Sequence, residues 1–186
     1  RNVNINNEST SGINVKGIVN ANDINIYNEN SDVVIGYNSG KDYLNSKNNV
    51  NIEILNGDLL NYGTTANLIK AGNNLNINVE NGSVGKEVGP CDGGVCTGIG
   101  TDSRDLTKSV NISVDGKVNV VSTRGSNDSL VNLASIDKNM NIDRIKADGR
   151  VILLADSSVK GSKAYDIINA SSDATKPNVE GAGISI

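Results

Sequence analysis

Short runs in which an aliphatic residue alternates with a polar one, most often asparagine, constrain this chain's fold more than any other feature. Val3-Asn4-Ile5, Ile13-Asn14-Val15, Ile24-Asn25-Ile26 and Val50-Asn51-Ile52-Glu53-Ile54 share the scheme. So do Leu75-Asn76-Ile77-Asn78-Val79, Val110-Asn111-Ile112-Ser113-Val114, Val118-Asn119-Val120 and Met140-Asn141-Ile142. Side chains of an extended chain point to opposite faces in turn, so each run is apolar on one face and polar on the other, as in a half-buried strand. Val151-Ile152-Leu153-Leu154-Ala155 is apolar throughout, as a more fully covered strand would be. No useful length of chain carries a 3.6-residue apolar stripe, which excludes a helical fold.

Between the runs stand Asn56-Gly57-Asp58, Asn81-Gly82-Ser83, Asp115-Gly116-Lys117 and Asp148-Gly149-Arg150. Asn-Gly and Asp-Gly supply positive φ at low steric cost, so these are turns. Taken locally, Asp115-Gly116 between two alternating runs reads as a β-hairpin. Longer spacing argues otherwise. The strand motif recurs near Asn49, Asn74, Ser109 and Asn139 at intervals of about 25 to 35 residues, the period of a repeat architecture. Val110 to Ser122 and Met140 to Ala155 both read strand, Asp-Gly, strand, as if one unit occurred twice. Polar excursions follow each, Thr123 to Ser129 and Asp156 to Lys163. Such a unit holds too few apolar residues to fold alone, and stacking it on copies of itself supplies the missing burial. The expectation is an all-β solenoid: a parallel β-helix with about three short strands per coil and aliphatic columns inside. Six or seven coils would form a rod of roughly 30 Å. A β-sandwich or antiparallel sheet is the competing architecture.

Composition agrees. Phe, Trp and His are absent, and the five aromatic residues are all Tyr, so any core is built from small aliphatic side chains. Asn contributes 31 of the 186 residues. At turns it tolerates left-handed backbone, and in register above another Asn it joins an amide ladder. Disorder is the alternative for so polar a chain, but a net charge of only -4 and the ordered alternation oppose it.

No apolar run is long enough to span a bilayer, and no signal peptide opens the chain. The first and last residues fall within strand-like pattern, Val3-Asn4-Ile5 and Gly183-Ile184-Ser185-Ile186, which reads as a segment of a longer polypeptide. Cys91 and Cys96 flank a Gly-rich loop that could bring their sulfurs together. A zinc site is the rival, but two sulfurs without a histidine make a poor ligand set. A Cys91–Cys96 disulfide is therefore expected, and with it an oxidising compartment. The surrounding stretch, around 87–105, is the longest break in the strand rhythm and reads as a loop insertion.

Catalytic machinery is thin. Without His, no Ser-His-Asp or Cys-His arrangement can form. Carboxylate chemistry of the kind used on polysaccharides could draw on Asp102, Arg104 and Asp105, or on Asp143, Arg144 and Lys146. Solvated loop charge is the plainer account, and the chain has no Trp or Phe for sugar stacking. The scattered Lys and Arg of an acidic chain lack the footprint of nucleic-acid binding. The calcium nonapeptide motif is missing too, so no metal or cofactor is expected. Asn-x-Ser sequons begin at Asn7, Asn81, Asn111, Asn127 and Asn169; Asn111, inside an expected strand, would be a poor acceptor.

Gly57-Asp58-Leu59, Asn81-Gly82-Ser83-Val84-Gly85, Asn139 to Gly149, Gly149-Arg150-Val151-Ile152-Leu153-Leu154-Ala155 and Ile167 to Ile186 resemble known repeats. They are similar to the repeat regions of filamentous haemagglutinin-like exoproteins, notably leukotoxin-type filamentous adhesins of anaerobic bacteria. That resemblance implies a right-handed parallel β-helix, export through an outer-membrane secretion partner, and attachment to host-cell or surface receptors. Residues 1–186 would form one monomeric β-helix segment of a larger secreted or surface adhesin, and it would not be an enzyme. No match to the family's N-terminal secretion domain is present. A carbohydrate-active β-helix enzyme or tailspike-like depolymerase is the alternative, and an autotransporter passenger would share the fold.

Overall fold

The computed structural model describes residues 1–38, 41–87, 105–125, 128–155, 165–171, 175 and 178–186. The described residues form strands and turns without a helix. The chain winds in successive coils. The first holds β1 (Val3–Asn7), β2 (Ile13–Val15) and β3 (Ile18–Ala21). The second holds β4 (Ile24–Asn28), β5 (Val33–Ile35) and β6 (Tyr43–Ser46), and the third β7 (Val50–Ile54), β8 (Leu59–Asn61) and β9 (Ile69–Ala71). Next come β10 (Leu75–Glu80) with β11 (Val110–Val114), β12 (Val118–Thr123) with β13 (Leu130–Ser135), and β14 (Met140–Ala147) with β15 (Arg150–Ala155). A last, partial coil contains β16 (Ile167–Asn169), β17 (Val179–Glu180) and β18 (Gly183–Ser185).

Each strand pairs with its counterpart one coil along. Sheet A runs β1-β4-β7-β10-β12-β14-β16, with β17 also on β14; sheet B runs β3-β6-β9-β11-β13-β15-β18; the third face runs β2-β5-β8. Every described pairing is parallel, as in Ile26↔Ile52 and Leu44↔Ile69. The chain is a parallel β-helix with about three strands per coil. Val84 bridges Leu59 to Val131 and so carries the third face on into the start of β13. From there β13 and β15 span two faces, because the corner between them has straightened.

Parallel pairing overturns the hairpin reading of Asp115-Gly116: β11 and β12 lie in different sheets, and the turn is a corner of the coil. The twofold unit is corrected as well. The chain passes from sheet B to sheet A through Asp115-Gly116, but from A to B through Asp148-Gly149. Two look-alike stretches therefore occupy different corners, since strand, Asp-Gly, strand describes either one. Coil lengths follow from stacked residues on sheet A. Successive rungs are 21, 26, 25 and 43 residues apart, and the long fourth coil carries the stretch expected to be inserted.

Inside, inward side chains stack in columns such as Ile26, Ile52, Ile77 and Val120, all at most 3% exposed. One continuous aliphatic cluster runs from Val15 to Leu153. None of the five tyrosines is in it. Tyr37 and Tyr62 instead stack on each other across one coil at 4.0 Å, with the Lys16 ammonium 5.1 Å from the Tyr37 ring centre. Glycine's main task at the corners is closeness, and positive φ comes second. In Asn81-Gly82 it is Asn81 that takes the left-handed conformation, at φ 51°. Gly82 packs directly on the Gly57 carbonyl of the preceding coil, where a Cβ would overlap the oxygen.

Candidate functional site

The period of two that buries Val and Ile turns the intervening Asn outward on sheet A. Parallel in-register pairing then aligns Asn4, Asn25, Asn51, Asn76 and Asn119. Each Nδ2 donates to the Oδ1 of the Asn one coil earlier, at 2.7, 2.7, 2.8 and 3.1 Å in turn. Asn suits a ladder because its amide is both donor and acceptor and can satisfy an identical neighbour. A primary amide has two N–H groups and two lone pairs, and the ladder uses one of each. The amide dipoles all point the same way along the axis, which strengthens each bond in the chain.

A second outward column, Asn6, Tyr27, Glu53, Asn78 and Val121, stands two residues along each strand. Between the two columns lies a groove of about 510 Å³ running along the axis, floored by the sheet. Its second wall carries one charged residue, Glu53. The Tyr27 phenol titrates above its ordinary value, chiefly through partial desolvation and then through the fields of Glu29, Glu53, Glu8 and Glu80. Elsewhere charge is neutralised coil to coil, as in Arg124–Asp58 at 2.9 Å and Lys117–Asp143 at 3.5 Å. Among the described residues, none of those four glutamates has an ion-pair partner.

The residues singled out by sequence do not form a catalytic set. Cys91, Cys96, Asp102 and Arg104 lie outside the described residues. Asp105 closes a turn by accepting hydrogen bonds from the Thr107 backbone N–H at 3.0 Å and the Thr107 hydroxyl at 2.5 Å. Asp143 is paired with Lys117, and Arg144 reaches Glu180 at 4.0 Å, so the two neighbours engage different coils. Lys146 stands beside Val121 on the outer face of sheet A. Among the described residues no three metal-binding side chains cluster, and no helix is long and apolar enough to cross a membrane. Asn111, the sequon set aside as a poor acceptor, is fully buried.

Sequence reading missed what holds the long fourth coil at its roots. Asn132 Nδ2 donates to the Lys86 carbonyl at 2.8 Å. Asn61 donates to the carbonyls of Thr64, Leu106 and Ser109, and Asn111 to those of Thr64, Ala66 and Leu106. These amides take the place of the ladder bonds that the crossing segments cannot make. One signal was available: Asn61 follows Leu59 at the inward position of its strand, where an unpartnered amide would be costly.

The acid limb of stability has a local source. Asp148 Oδ2 accepts the backbone N–H groups of Arg124 at 2.9 Å and Gly125 at 3.0 Å, and its pKa is lowered, first by Gly125 and then by Arg124. A depressed carboxylate stabilises above its unfolded value and loses that contribution as pH falls through its folded value. Thermal melts of Asp148→Asn and the parent chain should therefore differ above about pH 4 and converge below the Asp148 folded pKa.

No protein-family model matches the chain, and neither a curated protein nor a solved structure is significantly similar to it.

Proposed function

We propose that the chain is a shaft segment of a secreted or surface-displayed bacterial filamentous adhesin, exported with an outer-membrane partner and supporting attachment to host cells or surfaces. One observation supports this reading above others: an unbroken axial stack of seven strands along sheet A, all paired in parallel. A stack of this kind grows by adding coils without changing its cross-section, which is what a spacer requires. The short motifs shared with filamentous haemagglutinin-like repeats point the same way. Stiffness would come from backbone ladders in every face and from the amide ladder outside them.

Two measurements test this. In electron micrographs of the parent protein, duplicating this segment should lengthen a rod of constant width; a thicker or compact particle would reject the shaft. A polysaccharide-cleavage screen on the purified segment should show no turnover. Turnover abolished by changing one carboxylate would replace the shaft with a carbohydrate-active enzyme.

A further inference from the structure

We propose that Asn56 is a site of spontaneous deamidation in the folded chain, assisted by Asn81, and that Asn81 itself is protected although glycine follows both. The sequence holds two Asn-Gly pairs, Asn56-Gly57 and Asn81-Gly82, and the fold stacks them one coil apart at the same corner. Asparagine before glycine is labile, because no Cβ hinders the glycine nitrogen. Hydroxide takes the proton from that nitrogen, which then bonds to the side-chain Cγ. The Cγ–Nδ2 bond breaks, and ammonia leaves with a proton from water. Water opens the resulting succinimide at either carbonyl, giving aspartate or a chain rerouted through the side chain as isoaspartate.

The two carboxamides are held alike. Asn56 Nδ2 donates to the Glu29 carbonyl at 3.1 Å and to Asn30 Oδ1 at 3.4 Å. Asn81 Nδ2 donates to Asn56 Oδ1 at 3.2 Å and to the Leu55 carbonyl at 3.5 Å. Their nucleophiles differ. The Gly82 N–H donates to the Thr123 carbonyl at 3.2 Å and Gly82 is buried, so its nitrogen is shielded from hydroxide. Gly57 is half-buried, and among the described residues nothing accepts its N–H. Close packing does not separate the pair, since Gly57 presses on the Ser31 carbonyl as Gly82 does on that of Gly57. Access to the nitrogen does. The electrophiles differ too: the Asn81 amide bonded to Asn56 Oδ1 stabilises the negative charge that builds there on attack. Isoaspartate adds a backbone bond where Gly57 has no room against Ser31, and either product loses the donors to Glu29 and Asn30. Conversion therefore loosens the corner between the second and third coils, whether or not the chain is a shaft.

Peptide mass spectrometry tests it. The folded chain is incubated at mildly alkaline pH, sampled over time, then unfolded and digested, a zero-time sample correcting for conversion during digestion. Trypsin cuts after Lys47, Lys70 and Lys86, which places Asn56 and Asn81 in separate peptides. Asn56 is expected to convert about tenfold faster than Asn81, the factor that one hydrogen bond on the nucleophile is worth. In urea, where only local sequence acts, the two should convert at similar rates. Asn81→Gly suits the left-handed position and removes the donor to Asn56. It should slow conversion at Asn56 about threefold with an unchanged circular dichroism spectrum. The proposal fails if Asn81 keeps pace with Asn56 in the folded chain, or if neither converts. It fails equally if the preference persists in urea, or if Asn81→Gly leaves the rate at Asn56 as it was.

Discussion

Gly82→Ala is expected to cost about 3 kcal/mol, a large loss for one methyl group. The reason is the pitch of the coil. Gly82 sits over the Gly57 carbonyl, and a Cβ there would overlap that oxygen and press on the Val79 side chain. The obstacle is backbone, which cannot rotate away as a side chain can. Relief requires the two coils to part locally, and that lengthens the bonds between them, including Leu59 N–H to the Ser83 carbonyl at 2.9 Å and Gly85 N–H to the Leu59 carbonyl at 2.8 Å. Gly63→Ala makes the contrast. Its φ is +121°, but nothing lies within 4 Å of an added Cβ, so only backbone strain of about 1–2 kcal/mol is expected. Urea titrations followed by circular dichroism check both. Equal losses at the two sites would show that conformation, not coil packing, accounts for Gly82.

The second large effect concerns the buried amides. Asn111→Leu keeps the volume of the side chain but removes its donors, leaving the Ala66 carbonyl without that partner and weakening the hold on Thr64 and Leu106. It also strands the Ser109 hydroxyl, which donates to Asn111 Oδ1 at 2.7 Å. Burial denies these groups water as a substitute, so a loss of about 3 kcal/mol is expected. Hydrogen exchange should show where: amides of 105–109 and 62–68 should lose protection before those of sheet A. The same change at Asn51, whose ladder faces solvent, should cost no more than about 1 kcal/mol. If the two substitutions prove equally mild, the roots of the fourth coil are held by something other than these amides.

Much of this was legible in the sequence, though unevenly. Val50–Ile54 and Val110–Val114 could be placed to the residue, because five alternating positions establish a period. The strands Val33–Ile35, Leu59–Asn61 and Ile69–Ala71 were not separated from their loops, since three residues hold a single alternation. Leu130–Ser135 hid because Leu-Val-Asn-Leu-Ala-Ser does not alternate, whereas Val110–Val114, equally buried on both faces, does. That Asn would stack on Asn could be anticipated from composition. Which asparagines do so could not, because coils of 21, 26, 25 and 43 residues give no constant offset to read. The surroundings of Tyr27 were hidden likewise: Glu8, Glu53 and Glu80, whose charges act on its phenol, are far from it in the chain and come near only across coils.

Local sequence alone therefore determined that the described residues are strand and turn, with an aliphatic interior and an amide-rich exterior. Side-chain parity and corner residues are properties of adjacent positions, and no distant contact is needed to set them. The tertiary structure alone decided which strand lies on which, which corner each Asp-Gly turns, and which polar groups meet in the groove. Those choices depend on how each loop's length carries the chain to its next rung, and on the burial and backbone pairing gained there.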